Sequence, residues 1–93
     1  MALEHVSGKN VGRVVLYALS TCPWCNKTKQ LLKDLGVDHY YENVDLLRAE
    51  DREQMMKTVE KWNPACSFPT LVINDSKCIV GFKEDEIREA LKA

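Results

Sequence analysis

Two cysteines spaced two residues apart, Cys22-Pro23-Trp24-Cys25, stand between an apolar run, Val14-Val15-Leu16-Tyr17-Ala18, and a helical pattern reaching Leu35. No other feature constrains the fold as tightly. The apolar run is β-branched and does not alternate, as a strand covered on both faces requires. Pro23 suits the first position of a helix, because it lacks an N–H and its φ is already near helical. Thr28, Leu31, Leu32 and Leu35 then form a buried stripe, and Lys27, Lys29, Lys33 and Asp34 a wet face. Gly36 is the expected end of that helix. The thiol pair therefore sits where a buried strand hands over to a helix.

That position has chemical consequences. A thiol attacks a disulfide only as its thiolate. At a helix N-terminus a thiolate faces unpaired backbone N–H groups and the positive end of the dipole. Cys22, at or just before the first helical residue, is expected to be the exposed nucleophile. Cys25 shares the register of Leu32 and Leu35, so it turns inward as the resolving thiol. A redox role is favoured over half of a metal site or two packed thiols, because the helix start supplies the thiolate chemistry. Cys66 and Cys78 do not repeat the two-residue spacing, so a closed four-cysteine zinc site fits poorly and no metal is expected.

Composition narrows the class further. A chain of 93 residues makes one small domain, and 45% hydrophobic content is enough for a core. A net charge of −1 argues against a nucleic-acid partner, which needs a basic field. No apolar run approaches the roughly 20 residues of a membrane span. The stretch from Met1 to Asn10 lacks the apolar centre of a signal peptide, so a cytoplasmic location is expected, and structural disulfides of the secreted kind are disfavoured. Residues 1–11 have no clear period and read as a loose tail ahead of a single domain over residues 12–93.

The rest of the chain alternates. His39-Tyr40-Tyr41-Glu42-Asn43-Val44 reads as a second strand. Asp45 is expected to cap a second helix, with Met55, Val59 and Trp62 inward, that ends at Asn63-Pro64. Thr70-Leu71-Val72-Ile73 and Cys78-Ile79-Val80 form a hairpin across Asn74-Asp75-Ser76-Lys77, and Gly81 breaks it. Residues 84–92 make a last helix, with Ile87 and Leu91 inward and acids in its first turn. The order is β-α-β-α-β-β-α: an α/β fold with a four-stranded mixed sheet flanked by three helices on both faces.

This order, with Thr21-Cys22-Pro23-Trp24-Cys25 after the first strand and Phe68-Pro69-Thr70 before the third, resembles the glutaredoxins of the thioredoxin superfamily from Arg13 onward. The resemblance implies a thioredoxin-like fold and a cis Phe68–Pro69 bond. It implies a substrate surface made by Thr21, Pro23, Trp24, Phe68, Pro69, Gly81, Phe82, Glu84 and Asp85, with the Phe68 backbone pairing to the substrate like a short strand. Two positions depart from the family pattern. Leu19 stands where a lysine is usual, and Phe82 replaces the second residue of a Gly-Gly pair. The Phe82 variant looks more like the glutaredoxin-like redoxins that serve ribonucleotide reductase, some of which draw electrons from thioredoxin reductase.

The implied activity is thiol–disulfide exchange on protein or low-molecular-weight disulfides. No cofactor is expected to be bound. Glutathione, another small thiol or a reductase would restore the dithiol of what is expected to be a monomer. The resemblance also carries an alternative, an iron–sulfur carrier in which one cluster bridges a homodimer; Pro23 and Cys25 argue against it. Cys66 reads as a small apolar core residue ahead of a third redox thiol, and Cys78 as core filling. Lys27 and Lys29 read as solvating the helix, and His5 and His39 are assigned no role.

Overall fold

The computed structural model describes residues 3–91; Met1 and Ala2 of the expected tail, and Lys92 and Ala93 at the end of the last helix, lie outside the described residues. The elements in chain order are β1 (Glu4–Val6), β2 (Val14–Ala18), α1 (Pro23–Asp34), β3 (His39–Asn43), α2 (Ala49–Trp62), β4 (Thr70–Ile73), β5 (Lys77–Val80) and α3 (Glu84–Ala90). The sheet has five strands in the order β1-β3-β2-β4-β5. Only β2 and β3 run parallel; every other neighbouring pair is antiparallel.

The unalternating run of β2 is buried at all five positions. Val14, Leu16 and Ala18 point into one cluster with Cys25, Leu31 and Leu32 of α1 and with Ile87 and Leu91 at the end of α3. Val15 and Tyr17 point the other way, against Met55 and Val59 of α2. Each fully buried Val or Leu side chain contributes roughly 1.5–3 kcal/mol, so the central strand is anchored from both faces. This is the thioredoxin-like arrangement, and α1 is held over the sheet with Cys25 in the core.

Three expectations are corrected. The sheet has a fifth strand, and it arises from the stretch read as a loose tail. Glu4, His5 and Val6 pair with Tyr41, Tyr40 and His39. His5 Nε2 bonds Asp38 Oδ1 at 2.8 Å, and its ring stacks on Tyr40 at 4.7 Å. Lys9 continues the tie through N–H to Gly36 O (2.8 Å) and O to Asp38 N–H (2.9 Å). Gly8 is needed there, because a Cβ would stand 2.6 Å from Gly36 O.

Second, Asp45 does not cap α2. A short 3-10 turn over Val44–Leu46 intervenes, and Arg48 occupies the cap position without a side-chain bond. Third, β5 begins at Lys77, so the hairpin turn is Asn74-Asp75-Ser76. Asn74 and Asp75 both take positive φ, 54° and 51°, which short polar side chains tolerate best. β3 also carries one buried oddity. Glu42 Oε2 has no partner among the described residues, and burial, then the charge of Glu4, pushes its carboxyl up.

Candidate active site

β2 ends at Ala18, and the chain turns through Leu19-Ser20-Thr21 before α1 starts. Cys22 N–H donates to Leu19 O at 3.3 Å, closing that turn. Its outer side is clamped from another element: Ser20 N–H and Oγ both donate to the Asp45 carboxylate, at 2.8 and 2.6 Å. These bonds, Oγ first, hold the Asp45 carboxyl below the usual carboxylate range. The aspartate read as a helix cap thus steadies the approach to the thiols instead.

Cys22 is the N-cap of α1, with extended backbone (φ −84°, ψ 116°) and Pro23 following at the first helical position. Cys25 N–H donates to Cys22 Sγ at 3.2 Å. One of the orphan donors of the helix start is thereby spent on the sulfur, a contact that strengthens when the sulfur is a thiolate. Cys22 is half-buried and Cys25 fully buried, and all four cysteines are free thiols. Cys25 is pushed up to about 12, first by burial, then by its hydrogen bond with Cys22, with Leu19 backbone and the Lys29 charge opposing. The two thiols differ in burial, with Cys25 the deeper, as its register predicts.

The opposite wall comes from the loop before β4. The Phe68–Pro69 bond is cis, as the resemblance implies, and Pro69 is fully buried. Phe68 leans on both core clusters, while Cys22 and Phe82 lean on the same cluster as α1. Gly81 takes φ 84° and donates its N–H to Pro69 O at 2.8 Å, so the end of β5 is tied to the proline. One buried residue organises this loop: Asn63 Nδ2 reaches Ser67 O, Ser67 Oγ and Thr70 Oγ1 at 3.0, 3.0 and 3.2 Å, and its Oδ1 accepts from Ala65 N–H at 3.2 Å.

Trp24 is 55% exposed, an unusual value for so large an apolar ring. It stacks on Phe82 at 6.0 Å, with Lys27 Nζ 4.7 Å above it. Phe82 therefore packs on the core and on Trp24 together, and an aromatic pair flanks the thiols. Thr21 and Pro23 are exposed beside Cys22. Glu84 and Asp85 open the seven-residue α3, where Glu84 is held by Arg88 at 2.8 Å. Leu19 packs against the α2 cluster.

Cys66 belongs to the loop before Pro69, where its N–H donates to Asn63 O at 2.8 Å. It is half-buried, outside both core clusters, and takes φ 52°. It lines a groove of about 430 Å³ whose other walls, Arg52, Met56 and Glu60 among them, belong to α2. Cys78 is likewise half-buried, with its thiol pushed up by burial. Asp45, Ser20 and Asn63 were missed as site residues. Ser20 and Asp45 are 25 positions apart, and the local pattern marks Asp45 only as a helix cap and Asn63 only as a helix stop.

Known proteins agree with this geometry. The Glutaredoxin family model matches residues 14–79. The crystal structure of Methanosarcina acetivorans methanoredoxin superposes with a TM-score of 0.93, at 54% identity, covering 100% of this chain and 97% of that one. Pig (Sus scrofa) glutaredoxin-1 is 31% identical over 83 residues, covering 87% of this chain and 77% of that protein. A glutaredoxin-like protein of a Clostridium pasteurianum rubredoxin operon is 33% identical, covering 85% and 97%. No helix among the described residues is long and apolar enough to cross a membrane.

Proposed function

Because the chain belongs to the glutaredoxin family and is a thiol–disulfide oxidoreductase, we propose that it reduces disulfides of partner proteins, with Cys22 attacking and Cys25 resolving. The observation that carries the reading is the inequality of the two thiols. Cys22 Sγ receives the Cys25 N–H at 3.2 Å, while buried Cys25 is pushed up to about 12.

In the first step the Cys22 thiolate attacks one sulfur of the substrate disulfide. A mixed disulfide forms and the other substrate sulfur leaves as a thiolate. Cys25 then gives up its proton and attacks Cys22 Sγ. The Cys22–Cys25 disulfide forms, and the second substrate thiol is released. Two electrons have passed to the substrate, and two must come back from a thiol or a reductase.

The electron source we propose is a small thiol other than glutathione, or a thioredoxin-reductase-type enzyme. Three observations support it. Leu19 is apolar where a cation would pair with a carboxylate of glutathione. Phe82 lies on Trp24 beside Gly81. Glu84, the first acid of α3, is already paired with Arg88 at 2.8 Å and so is less open to the γ-glutamyl ammonium of glutathione. A ribonucleotide reductase is one protein whose disulfide has the required chemistry. Four free thiols suit a reducing compartment such as the cytoplasm. Nothing in the site favours the cluster-bridged dimer, and buried Cys25 beside Pro23 supports the dithiol cycle instead.

The test is trapping. Cys25→Ser should accumulate a mixed disulfide with substrate through Cys22, and Cys22→Ser should accumulate none. Trapping through Cys25 in the Cys22→Ser protein would reverse the assignment. Oxidised protein offered glutathione with its reductase, and separately thioredoxin reductase, should be reduced faster by the second system.

A further inference from the structure

The α1 helix does not cover the whole sheet face it lies on. β3 and β1 extend past it, and the uncovered strip forms the floor of a trough of about 430 Å³. Tyr41 and His39 lie on that floor. Asn26, Lys29, Gln30 and Lys33 form the wall. These four recur at i, i+3, i+4 and i+7, a single stripe of α1. Asn26 follows Cys25 directly, and its N–H bonds Cys22 O at 3.0 Å, so the trough opens one turn from the reacting sulfurs.

Its chemistry is cationic and preorganised. Lys29 is half-buried, donates to Asn43 Oδ1 at 2.6 Å, and lies over the Tyr41 ring at 5.3 Å. A lysine held this way is not merely solvating a helix surface: its ammonium has been given a fixed place, with donors to spare. Neither Lys29 nor Lys33 has an ion-pair partner among the described residues. The neighbouring acids are engaged, Asp34 by Gln30 (2.8 Å) and Asp38 by His5 (2.8 Å). Val6, in register with His39, closes the trough on its outer side. The concentration of cations is local. α1 carries Lys27, Lys29 and Lys33 against Asp34, in a chain of net charge −1.

We propose that this trough docks an acidic segment of the partner protein whose disulfide is being reduced. The inference rests on the redox reading above and names the recognition chemistry of that partner. From Asn26 to Lys33 the wall is about 10 Å long at 1.5 Å per helical residue. That length accommodates about three residues of extended chain. An open trough of this shape suits a peptide segment. Tethered by the mixed disulfide at Cys22, such a segment meets the lysines at high effective concentration. Charge complementarity of this kind raises the encounter rate and fades as salt is added.

The test uses two oxidised two-cysteine peptides, one flanked by Glu-Glu-Glu and one by Gln-Gln-Gln. In the parent protein the acidic peptide should show a kcat/KM about tenfold higher at low salt, narrowing as ionic strength rises. In Lys29→Gln/Lys33→Gln that ratio should fall to within about twofold of unity. In Lys57→Gln/Lys61→Gln, which removes the same charge from α2, the ratio should stay. Amide shifts of the Cys25→Ser protein carrying the acidic peptide should move at residues 26, 29, 33 and 41. Equal rates for the two peptides, a preference that survives loss of Lys29 and Lys33, or one removed equally by the α2 pair would each overturn the proposal. Failure of both peptides to turn over would instead defeat the redox reading, and the docking site with it.

Discussion

Asn63→Ala should destabilise the protein and loosen the wall opposite the thiols. The buried amide faces three acceptors, Ser67 O, Ser67 Oγ and Thr70 Oγ1, with only two protons, so at most two full bonds are lost there. A third, from Ala65 N–H to Oδ1, goes with them. Ser67 O keeps the Thr70 hydroxyl at 2.7 Å, which limits the damage. At about 1 kcal/mol per bond the loss is roughly 2–3 kcal/mol. For a domain of this size that corresponds to a Tm lower by about 10–20 °C. Asn63→Asp keeps the acceptor for Ala65 but turns two donors into acceptors facing other acceptors, so it should be no more stable than the alanine variant. Urea unfolding gives the stability. Turnover of a protein disulfide, set against the alkylation rate of Cys22, separates a misplaced Phe68 wall from a damaged nucleophile: turnover should fall while alkylation holds. An Asn63→Ala protein within about 0.5 kcal/mol of the parent, with full turnover, would refute the reasoning.

Two further outcomes follow from the site. Cys25 is raised from 9.0 to about 12, so between those values the unfolded chain is ionised there and binds fewer protons than the native state. The contribution is complete below pH 9 and is lost as pH climbs towards 12. Reduced parent protein should therefore lose stability over that window faster than Cys25→Ala, and equal slopes would remove the argument. Leu19→Lys with Phe82→Gly should strengthen glutathione binding roughly tenfold, since a charge-assisted bond is worth about 1.5–3 kcal/mol. A titration of glutathione against Cys25→Ser protein, followed by amide shifts, reads it; unchanged affinity would mean that these positions do not gate the thiol.

Local signals carried the centre of the molecule. β2 announced itself because burial on both faces forbids alternation, and Cys22 and Cys25 because their relation spans one helical turn. The cis Phe68–Pro69 bond was legible only through family resemblance. β1 escaped because Glu4-His5-Val6 is polar and mostly exposed; its strand state is conferred by the backbone of β3 and by Asp38, over thirty positions on. Asp45 misled for the opposite reason. An aspartate before a helical period has the composition of a cap, and its actual donor, Ser20, is remote. Lys29 looked like any helix-surface lysine, because Asn43 and Tyr41, which hold it, belong to another strand.

The small first strand also guards the molecule against itself. Without Glu4–Val6, the outer rim of β3 would present the unpaired backbone of His39-Tyr40-Tyr41-Glu42-Asn43, two adjacent tyrosines included, to any second chain able to add a strand. Three residues, too short and too charged at Glu4 to invite continuation, cover that rim at His39, Tyr40 and Tyr41. The cost of trimming the first seven residues would accordingly appear as colloidal instability, with particles forming at concentrations the intact protein tolerates, before any change in the chemistry of the thiols.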